Sequence, residues 1–274
     1  MCEIKLLALD LDGTLTNSKK QVSDKNREYI KKAQMKGINI VLASGRPVIG
    51  IRNVANVLDL WNTGGYILAY NGGQIIDCKT GVDMVKQIIP MGYYHDICAV
   101  SQKFDVYPLS YNEKGVICEN GDNVYVKKEA YNNSVPVFKV ANLEKEVKEP
   151  VVKFMVVGEP EELQKAYVHL SQLFFNKLNV FFSEPYFMEI TALGIEKASS
   201  LKCLCEKLRL MRENVMACGD GLNDIPMLNY AGLSIYMANG YEETKSCANF
   251  IVPSNDDDGV AYAIEQFVLK EELQ

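Results

Sequence analysis

Ile4-Lys5-Leu6-Leu7-Ala8-Leu9-Asp10-Leu11-Asp12-Gly13-Thr14-Leu15 decides the reading of this chain. An apolar run of strand length, Ile4 to Leu9, breaks at once into Asp10, Leu11, Asp12 and Gly13. It reads as a buried strand of a parallel sheet that ends in a turn. Two carboxylates at such a strand end need partners, because a lone buried charge shifts its pKa or destabilises the fold. Their two-residue spacing puts both on one side of an extended chain. Two hard oxygen ligands at the mouth of a sheet suit Mg2+ and a phosphate. Gly13 lets the backbone turn and approach a ligand closely. A lone DxD usually does no more than end a strand and begin a loop. Three further pieces of the chain outweigh that bland reading here.

The first lies far downstream. Strand Val215 to Cys218 runs into Gly219-Asp220-Gly221-Leu222-Asn223-Asp224, with Pro226 suited to the first turn of the next helix. The second follows strand Ile38 to Ala43, where Ser44-Gly45-Arg46 offers a hydroxyl, a flexible turn and a guanidinium, a reasonable anion site. The third is Lys197, at the start of a helix whose dipole disfavours a cation. Alone, each reads as an ordinary turn or a solvated lysine. Together they supply carboxylates from two strand ends, a hydrogen-bond donor and a cation, which is what a metal-assisted phosphoryl site needs.

Between these motifs the pattern alternates strand and helix. Ser23 caps a helix that stops at Gly37, a helix over Val48 to Leu58 follows Arg46, and strand Tyr66 to Tyr70 ends in Asn71-Gly72-Gly73. Alternation of this kind predicts an α/β fold with a doubly wound parallel sheet, its strand ends along one edge, where ligands bind. Strands Leu233 to Met237 and Phe250 to Val252 and a helix over Gly259 to Leu269 complete it.

From Met84 the texture changes. A helix over Pro90 to Phe104 precedes short strand-like runs at Val106–Tyr111, Val116–Cys118 and Val124–Val126, then a strand Val151–Val157. Pro160 to Lys177 is helical, and Val180–Phe182 and Phe187–Ile190 are strands. The expected division is a core of residues 1–83 and 189–274 with an inserted α+β domain at 84–188.

Composition narrows the function. The 274 residues are 48% hydrophobic and 23% charged, with a net charge of -6. That is ordinary globular composition without the basic footprint of a nucleic-acid binder. No basic leader with an apolar block and no membrane-length run is present, so the expectation is a cytoplasmic protein with neither nucleic acid nor membrane as partner. The eight cysteines form no CxxC pair and read as reduced core residues. Two histidines, His95 and His169, leave little for a histidine-based zinc or triad site. Oligomeric state is not legible.

Asp10-Leu11-Asp12-Gly13-Thr14-Leu15, Ser44-Gly45-Arg46, Lys197 and Gly219-Asp220-Gly221-Leu222-Asn223-Asp224 resemble, in order and spacing, the four motifs of the haloacid dehalogenase-like (HAD) superfamily. Asn71-Gly72-Gly73, the insert and Ser254-Asn255-Asp256-Asp257-Asp258-Gly259-Val260-Ala261 resemble its Cof-type sugar-phosphatase branch. Ala198 departs from that branch, where glycine more often follows the lysine. The resemblance implies a Rossmann-like core with a cap and a Mg2+-dependent phosphatase of small phosphorylated metabolites. It further implies Asp10 as nucleophile and Asp12 as general acid and base. Mg2+ would be held by Asp10, the Asp12 carbonyl, Asp220 and Asp224, and the phosphoryl oxygens by Ser44 and Lys197. Gly45, Arg46, Asn71 and Asn223 would lie on the substrate side, Arg46 equally as a structural ion pair. A phosphomutase and a non-catalytic sugar-phosphate sensor stay open as alternatives, and the substrate itself is not legible. A DxD glycosyltransferase would leave Lys197 and the second acidic cluster unexplained.

Overall fold

A computed structural model describes residues 3–270. The apolar run that opens the sequence forms β1 (Leu6–Leu9), all four side chains buried. Its neighbours in the sheet come from opposite ends of the chain. Following the core strands in order gives β2 (Asn39–Ala43), β3 (Tyr66–Ala69), β4 (Gln74–Asp77) and β5 (Val82–Lys86). The inserted stretch holds β6 (Tyr107–Tyr111), β7 (Val116–Cys118), β8 (Val137–Lys139), β9 (Lys153–Val157), β10 (Leu178–Glu184) and β11 (Phe187–Ala192). The core resumes with β12 (Val215–Gly219), β13 (Leu233–Met237) and β14 (Phe250–Val252).

The core sheet runs β14-β13-β12-β1-β2-β3-β4-β5. From β14 to β3 the pairings are parallel. β1, at the centre, carries Leu, Leu, Ala and Leu with no alternation because both its faces are covered. β4 turns back antiparallel to β3, an edge hairpin the sequence reading did not contain. Register fixes the strand ends: Leu9 lies opposite Cys218 and Leu42, so the residues after β1, β12 and β2 leave the sheet side by side.

Two compact units result, one of residues 1–45, 51–85 and 196–274, the other of 46–50 and 86–195. The boundary expected at Met188 thus falls inside β11, which pairs with both β9 and β10 of the inserted sheet. That sheet, ordered β10-β11-β9-β6-β7-β8, buries one face under helices Tyr94–Lys103 and Pro160–Leu173. Phe154, Val156, Met188 and Ile190 meet Tyr94, Ile97, Leu163 and Phe174 there. The strand expected at Val124–Val126 is instead the first turn of helix Val124–Asn133. The Asn123 side chain caps it, accepting from the N–H groups of Tyr125 and Val126. The cap and the following Lys-Lys-Glu-Ala outweigh the β preference of the two valines.

No described helix is long and apolar enough to cross a membrane. The seven cysteines among the described residues are free; Cys2 lies outside them.

Candidate active site

Leu9 is the last residue of β1, and the Asp10 N–H still donates to the Cys218 carbonyl of β12, 3.0 Å away. This bond carries Asp10 to the sheet edge beside the loop after β12. There the carboxylates of Asp10, Asp220 and Asp224 come within 4.8 Å of one another. Lys197, the first residue of helix Lys197–Leu208 and almost wholly buried, donates to Asp10 Oδ1 and, at 2.7 Å, to Asp224 Oδ1. The cation that is anomalous for a helix N-terminus is therefore held by two carboxylates. The second oxygen of Asp224 accepts from the N–H groups of Asp220 (3.0 Å) and Gly221 (2.9 Å), folding the loop onto its own carboxylate. Thr14 Oγ1 donates to Asp220 Oδ1 at 2.7 Å. A side chain at Gly13, which has φ +84°, would meet Asp220 Oδ2 at 2.2 Å. Close approach to the second acidic loop, and not only turning, is what this glycine provides.

The electrostatics follow from crowding. Burial, then the nearby Asp224 carboxylate, pushes Asp10 well above the usual carboxylate range against the pull of Lys197. Burial lifts Asp220 to about 6. Burial works against the Lys197 ammonium, but Asp10 and Asp224 outweigh it and the lysine stays charged. Lys197 meets two of the three carboxylates, so full ionisation of all three would leave two negative charges in excess within the cluster. An all-oxygen donor set with that excess fits a divalent cation.

Asp12 stands apart. Extended chain ends at Leu9, and the Asp12 carboxylate is not one of the three that cluster. It pairs with Lys20 Nζ at 2.7 Å, both side chains being nearly half exposed. The expectation that Asp10 and Asp12 share one side assumed extended chain, and β1 ends at Leu9, before both. Lys20, absent from the sequence reading, reaches Asp12 because the chain doubles back through bridges between Asp12, Thr16 and Val22. Asn17 signals the turn, its side chain accepting from the Lys19 and Gln21 N–H groups, but not the pairing that results.

Ser44, buried at the end of β2, is fixed by its N–H to the Leu68 carbonyl (2.9 Å), and its carbonyl accepts from the Asn71 N–H (2.8 Å). Tyr70, Asn71 and Gly72 take positive φ in succession (54°, 55°, 98°). Backbone strain in a non-glycine pair of this kind gathers at functional sites. The Asn71 amide lies against Gly45, and its buried Oδ1 has no hydrogen-bond partner among the described residues. Gly72 accepts from Ser200 Oγ at 2.8 Å, tying this loop to the helix that carries Lys197. Asn223 is exposed at the rim of its loop. Arg46 belongs with the inserted unit, where its guanidinium donates to the Gly50 carbonyl at 3.2 Å.

The inserted unit has a charged cluster of its own that the sequence reading did not single out. Lys153 Nζ pairs with Glu189 Oε2 at 3.3 Å, and Glu129 accepts from Tyr111 (2.6 Å) and Asn133 (2.7 Å). All five side chains are buried. A lysine and a glutamate inside otherwise apolar strands, KFMVV and FMEITA, were the available signal. Of the aromatics that could have met a sugar, Tyr111 belongs to this cluster, while Phe182 packs on Tyr167 and Tyr186 stacks on Tyr125. Tyr107 is held by Asp105.

The profile of the haloacid dehalogenase-like hydrolases matches residues 7–264. The chain is 32% identical over 272 residues to the 5-amino-6-(5-phospho-D-ribitylamino)uracil phosphatase YcsE of Bacillus subtilis, covering 97% of each chain. Among solved structures, a haloacid dehalogenase-like hydrolase from Bacteroides thetaiotaomicron superposes with a TM-score of 0.94 at 40% identity, covering 96% of this chain and 99% of that one. A HAD subclass IIB sugar phosphatase superposes with a TM-score of 0.79 at 25% identity, covering 96% and 98%.

Proposed function

The chain belongs to the haloacid dehalogenase-like hydrolases and is a phosphatase of that family, and from this premise we propose that it hydrolyses small sugar phosphates through a phosphoenzyme formed on Asp10, with Mg2+ as cofactor. The observation that carries the reading is the Asp10 carboxylate, gripped by Lys197 inside a cluster of two further acids. A carboxylate with a raised pKa is a poor nucleophile while protonated; Lys197 favours its ionised form. Asp10, Asp220 and Asp224 would hold the cation, with the Asp12 carbonyl as a further donor. Bound there, Mg2+ supplies the positive charge that lets a carboxylate approach a phosphate dianion.

An Asp10 oxygen attacks phosphorus as the bond from phosphorus to the sugar oxygen breaks, and Asp12 gives that oxygen its proton. Asp12 then takes a proton from water as the water oxygen attacks phosphorus. The bond from phosphorus to Asp10 breaks, and phosphate leaves. Lys197 and Ser44 serve the phosphoryl oxygens. Gly45, Asn71 and Asn223 lie on the substrate side, and Arg46 either meets the far end of the substrate or serves as a structural contact. The unsatisfied Oδ1 of Asn71 supports its part. Choice among sugars falls to the inserted unit. A cytoplasmic setting suits such a substrate.

The test is phosphate release from a panel of sugar phosphates, nucleotides and p-nitrophenyl phosphate, with and without Mg2+, for the wild type and Asp10→Asn. Mg2+-dependent release that vanishes in the variant establishes the reading. Transfer of phosphate between positions of one hexose would replace it with a mutase, and binding without release with a sensor.

A further inference from the structure

The stretch Ser254-Asn255-Asp256-Asp257-Asp258-Gly259 has no part in the chemistry above, yet its side chains reach back more than two hundred residues. Asn255 Nδ2 donates to the Thr16 carbonyl at 2.9 Å. The Asn255 N–H donates to Asn239 Oδ1 at 3.0 Å, and Asn239 Nδ2 donates to the Gly13 carbonyl at 2.8 Å. Asp256 Oδ1 accepts from the Ser18 N–H at 2.8 Å, and Asp258 accepts from Ser23 Oγ. Three contacts thus fall in sequence along the loop that leaves β1 and doubles back to Lys20, at Gly13, Thr16 and Ser18, and a fourth follows at Ser23. Gly13 and Thr16 are the positions that bracket this return: Gly13 follows Asp12 directly, and Thr16 forms the bridge to Asp12.

We infer that Asn239 and Asn255 form a brace that positions Asp12 for proton transfer, an inference that rests on the phosphatase reading. The physical reason is local. Asp12 sits on irregular backbone with a nearly half-exposed side chain, and Lys20 is one of its partners. General acid catalysis requires the donor within hydrogen-bond reach of the leaving oxygen. The braced carbonyl belongs to the peptide between Gly13 and Thr14, so the brace holds the turn directly after Asp12 and limits how far that turn can swing the Asp12 side chain. The two asparagines do this from the ends of β13 and β14, with both functions of the Asn239 amide engaged. Asn239 and Asn255 are positioning residues: they touch the loop, not the phosphoryl group.

Two measurements test the brace. Hydrogen exchange followed by mass spectrometry compares Asn255→Ala and Asn239→Asp with the wild type. Asn239→Asp keeps an acceptor for Asn255 and replaces the donor to Gly13 with a carboxylate oxygen that repels the Gly13 carbonyl, at an exposed position outside the core. Exchange should rise over residues 11–23 and stay unchanged in β2; an unchanged loop overturns the brace whether or not any substrate is found. Kinetics then separate positioning from general loosening. Sugar alkoxides need a proton to leave and p-nitrophenolate does not. Each variant should therefore lose about 10- to 100-fold in kcat on the sugar phosphate the wild type hydrolyses best, with KM little changed. It should stay within about threefold of wild type on p-nitrophenyl phosphate. Equal losses on both substrates, or none on either, overturn the link to Asp12. Failure of the wild type to release phosphate would sink the phosphatase reading and this link together, leaving the exchange result to stand alone.

Discussion

Each unit of the chain buries a lysine among carboxylates, and the two arrangements differ in what they leave unsettled. In the inserted unit Lys153 has Glu189, and Glu129 is satisfied by a phenol and an amide. In the core Lys197 is shared between Asp10 and Asp224 while Asp220 crowds the same space. The first cluster divides its charge among side chains that answer one another. The second keeps more carboxylates than cations among the described residues, an excess suited to a cation from outside. Buried charge by itself does not distinguish a working site from an internal ion pair; the unbalanced remainder does.

The comparison breaks most sharply on Asp10. Asp10→Asn should lower kcat by about a thousandfold or more, because a nucleophile has no substitute. No substitution of Lys153 or Glu189 should approach this on p-nitrophenyl phosphate, in steady-state rates measured side by side.

Stability gives the next contrast. Lys153→Met strands Glu189 in a buried place and should cost about 3–5 kcal/mol in urea unfolding. Adding Glu189→Leu should recover only part of that loss, because Glu129 in the same cluster still lacks the cation that Lys153 supplied. In the core, Lys197→Met with Asp224→Leu should regain stability in the same experiment while activity stays lost.

A smaller effect concerns pH. Asp220, raised to about 6, binds a proton more tightly in the folded chain than in the unfolded one. Metal-free stability should therefore fall as pH rises from about 4 through 6, where the folded state must give up that proton. Mg2+ should bind more tightly over the same interval and reverse the fall. Calorimetric titrations at pH 5 and 7 decide it, and equal affinity at the two would contradict the excess-charge account. Smallest is Thr14→Val, which removes the 2.7 Å bond to Asp220 and should cost about 1 kcal/mol with little change in shape.

What could be read from the sequence was what local chemistry writes locally. Strand, acid and glycine in succession mark Asp10 and Asp220, and a lysine misplaced at a helix start marks Lys197. The doubly wound core follows from the same alternation. Asp12 was found, but not its surroundings: Asn17 and Ser18 mark a turn, yet a turn signal does not say that Lys20 beyond it meets Asp12. Val124–Val126 read as strand because valine biases that reading, while one asparagine cap decided otherwise. Lys153 and Glu189 were passed over because single charges in short apolar strands resemble surface alternation. Asn255 lay within a motif already noticed for its likeness to relatives, but its contacts depend on sequence separations no periodicity encodes.

The pairing of β1 with β12, Leu6 opposite Val215, also bears on how the protein is made. At about 5–20 residues per second, a ribosome needs roughly 10–40 seconds to carry synthesis from one strand to the other. Through that interval β1 has β2 on one side and an open edge on the other. The inserted sheet, whose strands all fall between Tyr107 and Ala192, is complete before β12 is synthesised. The order of synthesis therefore favours a finished insert on an unfinished core, with Asp10 in place well before Lys197, Asp220 and Asp224 arrive to surround it.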